Sequence, residues 1–335
     1  MKLVRIFSVV LAASAGWVHA EVLPAVAYSD GVKFDNSFNE AVFREGVTRF
    51  TATYDIEVLE VNPSTSDAFE PALRELAALG RSPIVAVGFS YAPALAEVAP
   101  DFPDIQFTII DAVVDAPNVQ SLVFKEWEGS FLVGALAAMR TDGAPLGFVG
   151  GMDLPFIRGF ACGYAQGANY MDEGAEVMVR MIGDTPQAWS NPKRGHELAE
   201  ELIGRGAEVL YAAAGGSGIG VYQAADETGN YAIAVDSNQN YLHLGTMLTS
   251  MVKRVGVAAF TSWEQAVNGE WQPGVQRLGL AENGVDWSLD IFNRQLVTLE
   301  MEEEMAQLRE DIIDGRIRVH NYALNNQCPV PLLES

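Results

Sequence analysis

From residue 23 onward, short apolar runs alternate with stretches in which apolar residues recur every three or four positions. The runs predict strands over residues 23–28, 54–61, 84–87 and 106–110. The helical spacing predicts helices over 39–50, 68–78 and 92–99. The cadence restarts at Gly129. Helices are predicted over 131–139, 157–170, 195–203 and 220–228, and strands over 145–149, 177–182, 209–213 and 231–235. Strands alternating with helices imply an α/β fold with parallel sheets covered on both faces. Two such series in one chain imply two doubly wound lobes facing a cleft. Stretches near 119–127, 248–254 and 275–280 are expected to cross between the lobes as a three-stranded hinge that closes by rigid-body motion. This divides the chain into residues 21–123 plus 251–280 and residues 124–250 plus 281–335. The segment 296–317, with MEEEMAQLREDIIDG at its centre, is expected to be an acidic amphipathic helix packed on the outside.

In an open parallel sheet, ligands sit at the carboxyl ends of the strands. The unusual residues of this chain fall there: Asp30 and Asp35, Gly88 and Ser90, Asp111, Gly150 to Asp153, Gly215 to Gly220, and Asp236. Lys253 lies inside the apolar run after Asp236. An acid and a base held at strand ends can grip a small polar ligand from two sides, or can form a salt bridge that only holds the lobes together. Asp35 or Ser37 can cap the helix that follows, with Phe38 as a hydrophobic staple. Alternatively, Phe38 lies over the cleft, where a ring can stack on a flat ligand. Asp111 either caps a turn or accepts hydrogen bonds from a ligand. The glycines at 215, 216, 218 and 220 lack the dinucleotide spacing and come late in the chain.

The first twenty residues read as an export signal: Lys2 and Arg5, an apolar stretch over 6–18, and Val18-His19-Ala20 as a cleavage site. The mature chain is then expected to begin at Glu21 in the periplasm. No cysteine follows that site, so no lipid anchor is expected there. The remaining 315 or so residues exceed the size at which one core keeps growing. The net charge is −23, or −25 without Lys2 and Arg5, which repels nucleic acid and anionic lipid. Cys162 and Cys328 either bridge, as an oxidising compartment permits, or remain two buried thiols. His19, His196, His243 and His320 have no metal-ligand spacing, and no metal is expected.

Five strings carry a family resemblance. They are Asp35-Asn36-Ser37-Phe38-Asn39, GFVGGMD at 147–153 with Pro155 and Arg158, Trp189 ahead of Asn191-Pro192, Ala214-Gly215-Gly216-Ser217-Gly218, and VDSNQNYLHLGTMLTSMVKR at 235–254. Between Val26 and Thr261 the chain resembles the basic-membrane-protein (PnrA-like) family of ABC substrate-binding proteins, the nucleoside receptors of bacterial importers. The first string departs from the family's usual D-K-S-F-N at Asn36, which removes an ionic contact and keeps the ring. The resemblance implies the type I periplasmic binding protein fold and a nucleoside, purine by preference, in the cleft. It implies Asp35, Phe38, Asn39, Asp111, Trp189, Gly215, Gly216, Asp236 and Lys253 as ligand-binding residues. In that arrangement Phe38 and Trp189 sandwich a base from opposite lobes. Asp236 accepts both hydroxyls of a ribose diol, and Lys253 donates to the same sugar and neutralises the acid. Asp153 is expected to be structural. The resemblance also implies an inner-membrane permease as partner, a monomer, no cofactor and no catalytic residue.

Two alternatives remain open at this point. A sugar or autoinducer receptor of the same architecture would use the diol grip without the paired rings. A nucleoside-processing enzyme is disfavoured, because the chain has no D-x-D metal site near its start and no Ser-His-Asp or Cys-His arrangement.

Overall fold

The computed structural model describes residues 22–29, 33–63 and 65–334. The expected signal segment, Glu21 and Asp30 lie outside the described residues. The first half runs β1 (Ala25–Ala27), α1 (Phe38–Ala41), a π-helical stretch (Val42–Thr48), α2 (Arg49–Tyr54), β2 (Leu59–Val61), α3 (Phe69–Ala78), β3 (Ile84–Ala86), α4 (Ala92–Val98), β4 (Phe107–Ile110) and β5 (Val119–Phe124). The second half runs α5 (Glu126–Arg140), β6 (Leu146–Met152), α6 (Pro155–Met171), β7 (Val177–Gly183), α7 (Pro192–Gly204), β8 (Val209–Ala213), α8 (Gly218–Thr228), β9 (Tyr231–Asp236) and β10 (Met247–Lys253). The chain ends with α9 (Val255–Val267), β11 (Gly274–Leu278), β12 (Val285–Trp287) and α10 (Leu299–Ile313).

These strands form two six-stranded sheets, ordered β11-β5-β4-β3-β1-β2 and β12-β10-β9-β8-β6-β7. All pairings are parallel except β12 on β10. Strands buried on both faces need apolar residues at every position, which is why they read as continuous runs. Their alternation divides each run between two cores. In the first sheet Ala25, Ala27, Ile84 and Phe107 face Leu73 of α3 and Leu95 of α4. Val26, Val85 and Ile110 face the opposite way, in a core that also holds Phe50 and Trp263. In the second sheet Leu210, Ala212 and Ala234 meet Leu198 of α7 and Val221 of α8. Tyr211, Ala213 and Val235 point to the side of α5 and α6.

The chain passes between the sheets three times: from β5 into α5, from β10 into α9, and from β11 to β12. Met251, Val252 and Lys253 pair with Trp287, Asp286 and Val285 within the second sheet. The second crossing therefore falls at Arg254, beyond the boundary expected at 251. The expected crossing over 119–127 contains β5 itself, and the helix after it starts at Glu126 rather than Phe131. The strand expected over 54–61 shrinks to β2, because Asp55 (φ 55) closes α2 in a left-handed turn. The expected tail helix is confined to α10, capped by the Thr298 side chain, with Met305, Leu308 and Ile312 buried.

Cys162 and Cys328 form a disulfide, so the tail is stapled to α6. Leu333 then pairs with the edge of β7, its N–H donating to Val177 O at 2.8 Å. The arrangement resolves the two alternatives for these cysteines in favour of the bridge.

Helices α5 and α6 pack closely because glycines remove the side chains between them. A Cβ at Gly134 would stand 2.0 Å from Tyr164 O, and one at Gly167 would stand 1.9 Å from Phe131 O. Such contacts cannot relax without moving a helix. Gly167→Ala gains about 1 kcal/mol of helix propensity. Overpacking should more than offset this, for a net loss of about 1–2 kcal/mol. Gly204→Ala, where nothing lies within 4 Å, should not destabilise. Urea midpoints of the two variants check this, and equal midpoints would refute the packing argument.

Candidate functional site

The carboxyl ends of both sheets face each other across a cleft of about 610 Å³, counted with its open mouth. From the first lobe come Ser29 after β1, the Asp35–Asn39 loop, Gly88 and Phe89 after β3, and Asp111 after β4. From the second come Phe156, Ile157 and Phe160 of α6, Trp189, Gly215 after β8, Asp236 at the end of β9 and Lys253 at the end of β10. Every expected site residue lines this space except Gly216. That glycine lies just behind it, its missing Cβ 3.8 Å from the Asp35 backbone oxygen. Ser90 is not among the lining residues.

The loop after β1 is built by Asp35. Its Oδ1 accepts from the N–H groups of Ser37 (2.8 Å) and Glu40 (3.1 Å), and its Oδ2 from that of Asn39 (3.1 Å). Asp35, not Ser37, is therefore the cap. Burial pushes its carboxyl up, against the pull of those N–H groups. With its oxygens so engaged, it positions the loop and the Phe38 ring. Asn39 is buried and accepts from Ser29 N–H at 3.2 Å, tying the helix start to the end of β1.

Asp111 and Asp236 occupy corresponding places in the two lobes, each at the end of the third strand of its sheet. Both adopt left-handed backbone conformations, φ 66 and φ 68, which Asp tolerates better than most residues. Lys253 Nζ contacts Asp111 Oδ2 at 2.6 Å across the cleft. The lysine was expected to neutralise Asp236 directly. Its hydrogen-bonded partner is Asp111, and Asp236 feels it only through space. Asp236 Oδ2 instead accepts from Ser37 Oγ of the other lobe at 2.5 Å. Burial raises the Asp236 carboxyl to about 6, with Lys253 and Ser37 opposing the rise. Burial alone would pull the Lys253 ammonium down. Asp111, Glu126 and Asp236 together hold it above its usual value, so it stays charged. The ammonium also lies 5.3 Å from the Phe38 ring centre and 5.1 Å from that of Phe124.

Glu126, the first residue of α5, was not anticipated. It is 6% exposed, and burial raises its carboxyl to about 8 despite Lys253 nearby. An acid at a helix start reads in sequence as a complement to the helix dipole, so nothing marked it. Phe89 and Phe156 were also missed. They meet across the cleft with ring centres 5.2 Å apart. A third interlobe hydrogen bond runs from Ser237 Oγ to Asn36 O at 2.8 Å.

Trp189 closes the short 3-10 turn Pro186–Trp189, and its ring packs on Gly151 of β6. A Cβ at Gly151 would stand 2.1 Å from its ring. The glycines of GFVGGMD lie inside β6, and Gly151 gives the indole its room. Asp153 forms a two-pronged ion pair with Arg158, at 2.5 and 2.8 Å. Ser217 Oγ donates to Ala188 O and accepts from Asn191 N–H, both at 2.7 Å, which fixes the Trp189 turn against the glycine run.

The geometry agrees with what the chain is similar to. A family model for the PnrA-like ABC transporter substrate-binding protein matches residues 24–331. An uncharacterized lipoprotein of Pyrococcus furiosus is 30% identical, over 81% of this chain and 71% of its own. Basic membrane protein A1 of Borrelia garinii subsp. bavariensis is 29% identical over 91% and 90%. Among solved structures, an ABC transporter solute-binding protein from Aeropyrum pernix K1 superposes with a TM-score of 0.81 at 25% identity, covering 90% of this chain and 94% of that one. Two parallel α/β lobes joined by three crossings are the type I periplasmic binding fold, and the chain belongs to the PnrA-like family of ABC transporter substrate-binding proteins.

Proposed function

We infer that this chain captures a nucleoside, purine by preference, between its lobes outside the cytoplasmic membrane and presents it to an ABC permease. The observation that carries this reading is the set of groups on one cavity: the Phe38 and Trp189 rings from different lobes, with the buried Asp236 carboxylate beside them. Rings on both sides of a planar base supply dispersion without selecting strongly among bases. A carboxylate suits a sugar diol, because each hydrogen bond to a charged group contributes about 1.5–3 kcal/mol. Capture near ~1 μM needs only about −8 kcal/mol. The lipoprotein name of the Pyrococcus relative supports a location outside the cytoplasm.

In this reading a ligand hydroxyl displaces Ser37 Oγ from Asp236 or takes the carboxylate oxygen that Ser37 leaves. Titration calorimetry with adenosine, guanosine, inosine, cytidine, uridine and free ribose tests it. Nucleosides should bind and ribose should not, with unchanged nucleoside recovered by chromatography. Ribose binding as tightly as any nucleoside would replace the reading with a sugar receptor, and recovered free base would replace it with an enzyme. Asp236→Ala should weaken ribonucleosides by about 1.5–3 kcal/mol more than their 2′,3′-dideoxy analogues. Equal losses would remove Asp236 from the diol.

A further inference from the structure

A second cavity, about 480 Å³ with its mouth, lies at the hinge. The second and third connections between the lobes supply part of its walls, and β5, β11 and α9 of the first lobe supply the rest. Gln120 and Leu122 come from β5, which leads into the first crossing. Arg254 is the second crossing. Leu278, Asn283 and Gly284 belong to the third. One face of α9 closes the remaining side. The second and third crossings are joined there by Arg254 N–H donating to Gly284 O at 2.8 Å.

The Arg254 side chain lines this cavity, and its Nε is shielded from solvent with no acceptor among the described residues. A shielded donor without a partner is unfavourable, and more so when the group is charged. The neighbouring acid does not relieve it. Glu282 accepts from Gly279 N–H at 2.8 Å and pairs with Lys125 at 3.3 Å. Gln120 is also committed, donating to Gln265 and to Gln272 O. Gln276 and Asn283, which carry amide side chains, are also lining residues.

We propose that this hinge cavity is a second binding site, for a small oxyanion held by the Arg254 guanidinium with amide support from Gln276 and Asn283. A planar guanidinium presents paired donors that match a carboxylate or a phosphate. Because the second and third crossings form part of the wall, rotation of the lobes reshapes the site. An occupant that prefers one lobe arrangement then biases the other cleft by the same free energy.

The test is calorimetric titration of the full-length mature protein, without nucleoside, against sodium phosphate, sodium acetate and sodium malonate. Ionic strength is held constant with sodium chloride. At least one anion should bind saturably to the wild type. Arg254→Gln should weaken it at least tenfold, and Gln276→Ala by a smaller factor. The ranking of phosphate against the two carboxylates identifies the source. Absence of saturable binding, as when a water satisfies Arg254, overturns the proposal. Equal responses in wild type and Arg254→Gln overturn it as well, since they mark a general ionic effect. Should Arg254→Gln fail to fold, Gln276→Ala decides: unchanged anion affinity in that variant refutes the site. None of these outcomes depends on what the interlobe cleft binds.

Discussion

Lys253→Met is expected to destabilise the protein by about 3–5 kcal/mol, the usual penalty for removing one member of a buried ion pair. Methionine retains most of the apolar stem that packs near Phe38, Phe124 and Phe160, so the loss isolates the charge. Without the ammonium, Asp111 loses its 2.6 Å partner while its side chain is 10% exposed. Asp236 and Glu126 also lose the cation that opposes their burial. The wild-type arrangement has one buried cation facing three carboxyl groups, and the variant would leave three acids facing none. Urea unfolding at pH 7.5 measures the cost. Lys253→Met combined with Asp111→Asn should recover more than half of it, because the asparagine no longer needs a counter-charge. A single-variant loss below about 1 kcal/mol, the range of an exposed pair, would mean that water screens this site. No recovery in the double variant would place the cost in packing.

How much of this was legible in sequence depends on whether the signal was local. The buried parallel strands were, because β8 and β9 must be apolar on both faces and so appear as unbroken runs. The site floor was partly legible for the same reason. Asp111 and Asp236 interrupt those runs at strand ends, where parallel sheets bind ligands. Edge elements carried no such mark. β12 has three residues, pairs antiparallel, and offers only Val285 as a fully buried position. Phe156 and Phe160 stand four residues apart in α6, a spacing that also describes an ordinary core-facing stripe. Long-range pairings were illegible in principle. Lys253 and Asp111 are 142 residues apart, so the choice of Asp111 over Asp236 as hydrogen-bonded partner is made by the packing of the two lobes. Cys162 and Cys328 are 166 apart, and only the path of the tail brings them together.

Glu126→Gln is expected to make the protein more stable than the wild type at alkaline pH and to leave it unchanged at acid pH. Glu126 titrates at about 8 in the fold against 4.5 as an ordinary glutamate. A carboxyl raised in this way holds its proton more tightly when folded than when unfolded. Its contribution to stability is therefore full below about 4.5 and is withdrawn as pH rises through about 8. The whole swing is on the order of 5 kcal/mol, of which about 2 kcal/mol falls between pH 6.5 and 8.5. That upper window separates Glu126 from Asp236, whose similar withdrawal lies between 3.8 and about 6. Glutamine has the shape of the protonated acid and no proton to lose. The wild type should thus lose stability between pH 6.5 and 8.5, by roughly 3 °C in melting temperature, and Glu126→Gln should stay nearly flat. Parallel pH profiles for the two proteins would mean that Glu126 is ionised throughout, held by the same Lys253 that serves Asp111. The lysine would then be shared three ways, and the cost of Lys253→Met should rise with pH, because without the cation Glu126 relieves its burial only by taking up a proton.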